Sequence, residues 1–340
     1  MKEIENIFKK LLNKKDLSIL ESEKLFDLII NQSINSVVIS SLLTLLNIKG
    51  ESFNEIYGAV KILKKRAKKI QLSGDLIDTC GTGGDNKGSF NISTATAILS
   101  AACGLKVAKH GNKSVTSKSG SSDVLASLGI DIKIDDNVQK KLFKKNNICF
   151  LFAPFYHESL QKVKDIRGSL PFKTIFNLLG PLLNPANLSY QLLGVGNKEN
   201  LETHSRCISN LNLKSAWIVH SLKGYDELTT ISPNLIIKVK NGKASKRIKV
   251  SPQDLGMEYS TENHLKGGTA DENAYIMHRL FEGETGAIRD NVILNTAAWR
   301  EIACIVKNLK EGIDLASKNI DNFSAKHKLE NLINEFKWIY

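Results

Sequence analysis

A glycine-rich segment at residues 78–94 carries the clearest chemical signal in the sequence. Four glycines fall within eight consecutive residues of it, and hydroxyl side chains follow at Ser89, Ser93 and Thr94. Glycine tolerates positive φ and has no Cβ, so the backbone N–H groups of such a turn converge on a bound anion. A helix that begins after Asn91 would add the oriented N–H donors of its first turn. The segment therefore predicts a phosphate-binding loop between a strand and a helix.

Two common nucleotide-binding motifs do not fit this loop. A dinucleotide fingerprint that starts at Gly81 needs glycine at position 86, where the chain has Asn86. A P-loop that starts at Gly83 needs lysine at position 89, where the chain has Ser89. The acidic Asp85 is unusual for an anion site, and its carboxylate suits a sugar hydroxyl or a cation. We therefore expect a phosphorylated sugar that carries a metal ion, and a tight turn without a ligand is the alternative.

A second loop, residues 109–122, is rich in cations and hydroxyls. It contains three Lys, one His and six Ser or Thr among 14 residues. Lysines supply point charges for a diphosphate, and hydroxyls supply short donors that fix its orientation. Both loops follow predicted parallel strands, and ligands bind at the carboxyl ends of such strands in open α/β sheets. The two loops together favour one diphosphate site, whereas the second loop alone is equally typical of a polar surface.

An adjacent pair of acids, Asp226 and Glu227, follows another predicted strand. Two carboxylates on irregular backbone can bind one hard cation, and Mg²⁺ usually takes one or two carboxylates together with phosphate oxygens and water. Such pairs are common on protein surfaces, so this pair alone is weak evidence. Beside a predicted diphosphate site it indicates Mg²⁺.

Hydrophobic periodicity places these residues in an α/β fold. Residues 1–72 show only helical patterns, with capping boxes that start at Ser18 and Ser52. From residue 73 onward strands alternate with helices, which predicts a larger α/β domain at 73–340 with a mostly parallel central sheet. The predicted strands are 76–79, 105–108, 149–153, 190–195, 216–220, 235–239 and 245–250, the last two joined by a hairpin turn at 241–242. The predicted helices of this domain are 91–101, 123–128, 137–145, 198–210, 270–282, 291–308 and 312–336.

Composition and charge exclude several classes of protein. The 340 residues are 42% apolar and 24% charged, which is typical of globular domains and excludes disordered or collagen-like chains. Five scattered Cys without a C-x-x-C motif argue against a disulfide framework and against a Cys zinc site. An acidic N-terminus and the lack of a long apolar stretch predict a cytoplasmic protein without a membrane partner. The net charge of +12 is assigned to solvated helix faces such as residues 61–69, and we expect no nucleic-acid partner.

These segments, in this order, resemble the anthranilate phosphoribosyltransferase family of tryptophan biosynthesis. The resemblance is carried by Gly81–Asp85, Asn91–Thr94, Lys109–Asn112, Arg167, Thr174–Pro185 and the pair Asp226 and Glu227. It continues through Gly267 and Gly268, Asp271–Ala274 and Asn295–Ala298, and so covers almost the whole chain. The chain departs from the family pattern at His157–Ser159 and at Gly168–Ser169.

The resemblance implies a fold, a reaction and a set of ligands. A small helical domain, joined by a helix near residues 172–184, would stand beside the α/β domain, and two copies would form a homodimer. The reaction would be the Mg²⁺-dependent transfer of a phosphoribosyl group from 5-phosphoribosyl 1-diphosphate (PRPP) to the amine of anthranilate, with two Mg²⁺ ions on the diphosphate. The implied PRPP contacts are Gly81, Gly84, Asp85, Ser89, Asn91, Ile92, Ser93, Thr94, Lys109, His110, Gly111, Asn112, Lys113, Ser114, Val115, Thr116, Ser117 and Ser121. The implied metal ligands are Ser93, Asp226 and Glu227, and the implied anthranilate contacts are Gly81, Asn112 and Arg167.

No acid–base catalyst is expected for this reaction. The arylamine of anthranilate is neutral at pH 7, so its lone pair is available without a strong base, and the sequence shows no Ser-His-Asp or Cys-His arrangement. The residues predicted to position the substrates are Lys109, His110, Asn112 and Arg167, the last by pairing with the anthranilate carboxylate.

Two other functions remain open from the sequence. A nucleoside phosphorylase of the same superfamily would share the fold and a glycine loop. A nucleic-acid-binding protein on this fold is expected to lack the acid pair and to gather its lysines on one face. Both acids are present here.

Overall fold

The computed structural model describes residues 2–83, 87–113 and 118–337. The chain divides into two compact units. The helical unit comprises Met1–Lys69 and Ala153–Pro185, and the α/β unit comprises Ile70–Phe152 and Ala186–Tyr340.

The helices and strands follow one another along the chain in this order. The helices are α1 (Lys2–Leu12), α2 (Ile19–Ile30), α3 (Ser36–Lys49), α4 (Phe53–Arg66), α5 (Ile92–Ala102), α6 (Ser121–Ser127), α7 (Asp136–Asn146), α8 (Ala153–Tyr156), α9 (Glu158–Gln161), α10 (Lys164–Ser169), α11 (Ile175–Leu179), α12 (Asn200–Ser209), α13 (Ala270–Phe281), α14 (Ala287–Ile302), α15 (Leu309–Asp321) and α16 (Ser324–Lys337). The strands are β1 (Leu76–Gly81), β2 (Lys106–Gly111), β3 (Ile148–Phe152), β4 (Leu188–Gly194), β5 (Ser215–Ser221), β6 (Asn234–Lys240), β7 (Lys243–Ala244) and β8 (Ile248–Val250). Short 3₁₀ helices cover Gly180–Leu182, Pro252–Leu255 and Glu262–Leu265.

Helices α2 and α3 of the helical unit begin where the sequence supplies a cap. Ser18 starts α2 with a complete capping box, in which its Oγ accepts from the Glu21 N–H and the Glu21 carboxylate accepts from the Ser18 N–H. Asn35 starts α3 by accepting the Val38 N–H on its Oδ1 at 2.9 Å. Buried apolar residues such as Phe26 then pack the helices together, and Phe26 meets the Phe176 ring of α11 edge to face.

The α/β unit is built on one eight-stranded sheet. The strand order is β3-β2-β1-β4-β5-β6-β7, and β8 also pairs with β6. The first five strands are parallel to their neighbours, whereas β6 runs antiparallel to β5. The carboxyl ends of β1, β2, β4 and β5 therefore share one edge of the sheet. The predicted fold class, α/β with a mostly parallel sheet and a helical N-terminal part, is confirmed.

Two helices of the α/β unit are buried almost all round. Nine of the 11 residues of α5 are buried, and it packs against β1, β2, β3 and α14. An apolar surface on every side is what a helix inside a large core requires. Helix α14 packs in turn against β4 and β5. The sheet edge that carries the predicted site is thus held by a rigid core.

The structure corrects three predicted elements. The helix predicted at 291–308 is α14, which begins earlier, at Ala287, and ends at Ile302. The strand predicted at 245–250 begins only at Ile248, as β8; β7 before it ends at Ala244, and both pair with β6. The helix predicted at 312–336 is two helices, because α15 ends before Asn322 and α16 starts at Ser324. Phe323 between them has a left-handed φ of 61°. Among the described residues, no helix has both the length and the apolar character needed to cross a membrane.

Candidate active site

The glycine loop joins the carboxyl end of β1 to the start of α5. Asn91 is the N-cap residue of α5, and its carbonyl accepts the N–H groups of Thr94 and Ala95. The Ile92 side chain is fully buried, so only its backbone is placed for ligand contact. Thr94 is also buried, and its hydroxyl makes no hydrogen bond to the described residues. The start of α5 thus presents Ser93, through its side chain and its own N–H, to the sheet edge.

The acid pair lies against both ends of this loop. The Gly83 N–H donates to the Asp226 Oδ2 at 2.7 Å. The Ser93 N–H, in the first turn of α5, donates to the Glu227 Oε1 at 3.1 Å. Backbone donors of a glycine turn and of a helix start favour negative charge. The structure therefore brings the predicted metal ligands and the predicted phosphate loop together.

Two glycines create the space in which Asp226 lies. Gly81 at the end of β1 pairs in register with Gly194 at the end of β4. A Cβ on Gly81 would stand 2.1 Å from the Asp226 Oδ2, and one on Gly194 would stand 1.5 Å from the Asp226 carbonyl oxygen. Only glycine fits either position without moving the acid. The sequence reasoning missed Gly194, although a glycine at a strand end was the available signal.

The substitution Gly194→Ala is expected to displace the acid pair. Its Cβ meets backbone atoms of Asp226, which cannot rotate away. A shift of about 1 Å at a substrate-positioning group costs about 100-fold in rate, so we expect kcat/KM to fall by at least about 100-fold. Gly180→Ala is the control, because a Cβ there meets nothing within 4 Å and its φ of −45° suits alanine. Steady-state kinetics on both variants measures this, and a Gly194→Ala enzyme within threefold of wild type contradicts the packing argument.

The second loop begins with two buried side chains of β2. The Lys109 Nζ donates to the Thr79 carbonyl oxygen at 3.1 Å and to the Ser93 Oγ at 3.4 Å. Its charge thus reaches across β1 to the start of α5. The His110 backbone N–H donates to the buried Asp78 carboxylate at 3.2 Å. Lys109 and Glu227 therefore both contact Ser93, one at its hydroxyl and the other at its backbone N–H.

The two ends of the second loop are in contact through Ser121 and Asn112. The Ser121 Oγ donates to the Asn112 carbonyl oxygen at 3.2 Å, and a Cβ on Gly111 would lie 2.5 Å from that Oγ. The Asn112 Oδ1 accepts the Lys113 N–H at 2.8 Å. Six predicted PRPP contacts lie outside the described residues: Gly84, Asp85, Ser114, Val115, Thr116 and Ser117.

The donor set at the acid pair suits Mg²⁺. Asp226, Glu227 and the Ser93 hydroxyl supply hard oxygen ligands, and Glu227 already contacts Ser93 through its backbone N–H. Within the described ranges, no group of three or more His, Cys, Asp or Glu side chains could hold a metal ion. Mg²⁺ needs no such cage, because it is commonly held by one or two carboxylates and by substrate phosphate oxygens.

Helix α14 fixes the backbone that follows the acid pair. Asn295 pairs with both polar groups of Leu228, its Oδ1 accepting the N–H at 3.2 Å and its Nδ2 donating to the carbonyl oxygen at 2.8 Å. Asn291, one turn earlier, accepts the Thr230 N–H on its Oδ1 at 2.9 Å. Both amides are buried. The sequence reasoning noted Asn295 as part of the family pattern but gave it no role.

Arg167 lies on α10 of the helical unit in an apolar setting. Its guanidinium carbon stands 5.1 Å from the centroid of the Phe176 ring. Its Nε is buried and makes no hydrogen bond to the described residues. Burial lowers the pKa of Arg167, yet a guanidinium remains charged at neutral pH. A half-buried guanidinium whose Nε makes no hydrogen bond to the described residues suits a planar carboxylate.

The thiol nearest the glycine loop is unsuited to nucleophilic chemistry. Burial, and then the nearby Asp78 charge, raise the pKa of Cys80 to about 12. A nucleophilic cysteine needs a thiolate at neutral pH. Cys80 is therefore a packing residue, which agrees with a reaction that needs no covalent intermediate.

His157 of the helical unit makes folding stability depend on pH. Its Nε2 lies 2.9 Å from the Leu183 carbonyl oxygen, and burial lowers the pKa of its imidazole from 6.5 to about 4. As pH falls from 6.5 toward 4, the unfolded chain takes up a proton that the folded chain does not, so stability present above pH 6.5 is lost. At pH 5 the loss of folding free energy due to His157 is about 2 kcal/mol, since each pH unit below 6.5 costs roughly 1.4 kcal/mol.

The test of this pH dependence is urea unfolding at pH 7 and at pH 5. His157→Gln keeps an N–H donor for the Leu183 carbonyl oxygen but does not titrate. We expect its free energy of unfolding to fall less between the two pH values than that of the wild type, by about 2 kcal/mol. Parallel pH curves for the two proteins would contradict the burial argument.

Comparisons with known proteins agree with this architecture. A glycosyl transferase family helical bundle domain matches residues 5–67, and a glycosyl transferase family a/b domain matches residues 73–326. The anthranilate phosphoribosyltransferase of Petrotoga mobilis is 42% identical, over 95% of this chain and 94% of its own length. That of Thermoanaerobacter sp. is 42% identical, over 97% of this chain and 98% of its own.

Solved structures of such enzymes superpose over the whole chain. The Thermus thermophilus enzyme has a TM-score of 0.90 at 32% identity and covers 99% of this chain and 100% of its own. The Saccharomyces cerevisiae enzyme in complex with PRPP and Mg has a TM-score of 0.90 at 29% identity and covers 98% of both chains. The same yeast enzyme has been solved with 4-fluoroanthranilate. The predicted resemblance is confirmed: the chain is an enzyme and belongs to the anthranilate phosphoribosyltransferase family.

Proposed function

We propose that this chain transfers the phosphoribosyl group of PRPP to the amine of anthranilate, with Mg²⁺, as a step of tryptophan biosynthesis. The observation that carries the proposal is the pairing of Gly83 with Asp226 and of Ser93 with Glu227. It joins two metal-binding carboxylates to the two ends of a phosphate-binding turn. The C1–O bond breaks and diphosphate leaves with the bonding electrons, the amine nitrogen bonds to C1, and the amine releases one proton to solvent water.

The two loops would bind PRPP as the leaving group departs. The Lys109 ammonium, the Ser121 hydroxyl and the positive end of the α5 dipole lie near one sheet edge, and Ser89 is included on the resemblance. Donors that are already oriented stabilise the negative charge that develops on diphosphate, and this term is commonly the largest in such catalysis. We include Gly84, Asp85 and Ser114–Ser117 in this binding set on the resemblance alone.

Ser93, Asp226 and Glu227 would hold Mg²⁺. A bound Mg²⁺ neutralises charge that develops on the leaving diphosphate. Two ions would bind with the diphosphate, as the resemblance implies. The protein's own part is to fix the acids: Gly81 and Gly194 leave room for Asp226, and Asn295 fixes the residue after Glu227.

Anthranilate would be held through its carboxylate by Arg167. The half-buried guanidinium lies beside Phe176, and its Nε makes no hydrogen bond to the described residues, so it can donate to a planar anion. The resemblance also implies anthranilate contacts by Gly81 and Asn112. No general base is required, because the arylamine is neutral.

The test is the loss of anthranilate fluorescence in the presence of PRPP and Mg²⁺. We expect the signal to fall with both present and to remain constant when EDTA replaces Mg²⁺ or when PRPP is omitted. A parallel assay with a nucleoside and phosphate separates the phosphorylase alternative. Turnover of the nucleoside without loss of anthranilate would overturn the proposal.

The assembly is proposed to be a cytoplasmic homodimer through the helical unit. Large hydrophobic residues are exposed on or beside α1, α2 and α3: Leu12, Leu20, Val37 and Ile48 are 62–73% exposed. Apolar surface of this kind is typical of protein interfaces. Light scattering coupled to gel filtration measures the mass, and a monomer at micromolar concentration would contradict the dimer.

A further inference from the structure

A buried asparagine outside the predicted binding set connects the parts of the site. Asn273 lies in the first turn of α13 and is 1% exposed. Its Oδ1 accepts the Gly268 N–H at 2.8 Å, and its Nδ2 donates to the Asn91 Oδ1 at 2.8 Å. A buried amide with both of its ends bonded has one orientation, since a flip would face donor to donor. Asn273 thus fixes the N-cap side chain of α5.

Asn91 passes this constraint to the second loop. With its Oδ1 accepting from Asn273, its Nδ2 is left to donate, and it does so to the Ser119 carbonyl oxygen at 3.3 Å. Ser119 is buried and lies at the end of the second loop. The hydrogen bonds from Asn273 through Asn91 to Ser119 therefore connect the end of the glycine loop with the end of the second loop.

The segment before α13 packs tightly against the glycine loop. The Phe90 N–H donates to the Leu265 carbonyl oxygen at 2.8 Å, and the Gly267 N–H donates to the Gly88 carbonyl oxygen at 2.9 Å. A Cβ on Gly267 would stand 2.8 Å from the Asn273 Oδ1 and 2.9 Å from the Phe90 backbone. The start of α13 is thus the rigid support to which Asn273 attaches the loop.

We propose that Asn273 is a positioning residue for PRPP binding. Asn273 holds the two binding loops at a fixed separation through Asn91, and it does not contact the substrate. The inference rests on the proposed function, because that function makes the two loops one binding site. Loss of the Asn273 Nδ2 removes the bond that orients the Asn91 side chain, and this weakens the connection that Asn91 makes to Ser119. Binding of PRPP then has to order them, which weakens its affinity, whereas the anthranilate contact made by Arg167 is unaffected.

The experiment compares Asn273→Ala, Asn273→Asp and the control Asn146→Ala. Asn273→Asp retains the acceptor for the Gly268 N–H but turns a carboxylate oxygen toward the Asn91 Oδ1. Asn146 is also a buried asparagine of the α/β unit, at the end of α7, which leads into the amino end of β3. We expect both Asn273 variants to raise the Kd and the KM of PRPP at least tenfold in the presence of Mg²⁺. The KM of anthranilate should change less than threefold, and Asn146→Ala should leave both KM values within threefold of wild type.

Two further measurements separate positioning from general stability. In the Asn273 variants, amide hydrogen exchange should become faster in peptides that contain residues 87–95 and 265–269. In the Asn146→Ala control the same peptides should exchange at the wild-type rate. Asn91→Ala combined with Asn273→Ala should raise the Kd of PRPP little more than Asn91→Ala alone, because both remove the same connection. Additive effects, unchanged PRPP affinity in both single variants, or global unfolding of both at the assay temperature would overturn the proposal. Failure of the wild type to bind PRPP would instead overturn the proposed function.

Discussion

The double substitution Asp226→Asn with Glu227→Gln is expected to lower kcat by about 1,000-fold or more and to raise the Mg²⁺ concentration needed for half-maximal rate. The amides keep the oxygen atoms that accept from the Gly83 and Ser93 N–H groups, at 2.7 and 3.1 Å in the wild type. They remove the two negative charges that would hold Mg²⁺. The loop geometry is thus retained while the electrostatic attraction for the metal is lost.

The kinetics are measured as initial rates of anthranilate consumption across a series of Mg²⁺ concentrations. Asp321→Asn is the matched control, because Asp321 is an exposed carboxylate of the same unit that pairs with Arg289. Asp226→Ala separates the two roles of that side chain, since it removes the acceptor for Gly83 as well as the charge. Rates and Mg²⁺ dependence like those of the wild type in the double variant would rule out these carboxylates as metal ligands.

Local sequence patterns were sufficient to predict the two loops and most helices and strands. Glycine, hydroxyl and lysine spacing predicted both loops at strand ends, because those preferences arise within a few residues. The helix after Asn91 and the parallel strands before the loops follow from apolar periodicity. These features depend on neighbours in the chain, so a single sequence reveals them.

The errors and omissions concern contacts between distant segments or subtle breaks. The apolar pattern of α15 continues into α16, and neither glycine nor proline marks the stop at Asn322 and Phe323. Gly194 matters because β4 lies beside β1, which is a property of the sheet order and not of either strand alone. Asn273 contacts Asn91 only once α13 has packed beside the glycine loop. Such residues become visible when the tertiary structure is known.

Arg167→Ala is expected to raise the KM of anthranilate by about 100-fold, while the KM of PRPP changes less than threefold. Charge-assisted hydrogen bonds to one carboxylate are worth about 1.5–3 kcal/mol each, which corresponds to a factor of this size. The chain is not expected to lose stability, because the variant removes a half-buried cation whose Nε makes no hydrogen bond to the described residues.

The pairing of kinetics with thermal unfolding makes this test specific to Arg167. Arg66→Ala is the control, since Arg66 of the same unit is exposed and its guanidinium pairs with Asp27 at 2.7 Å. We expect Arg66→Ala to leave both KM values within threefold of wild type. An unfolding midpoint at or above that of the wild type, together with a selective loss of anthranilate affinity, identifies Arg167 as the carboxylate anchor. Equal increases of both KM values, or a large fall in the midpoint, would show that Arg167 supports the fold instead.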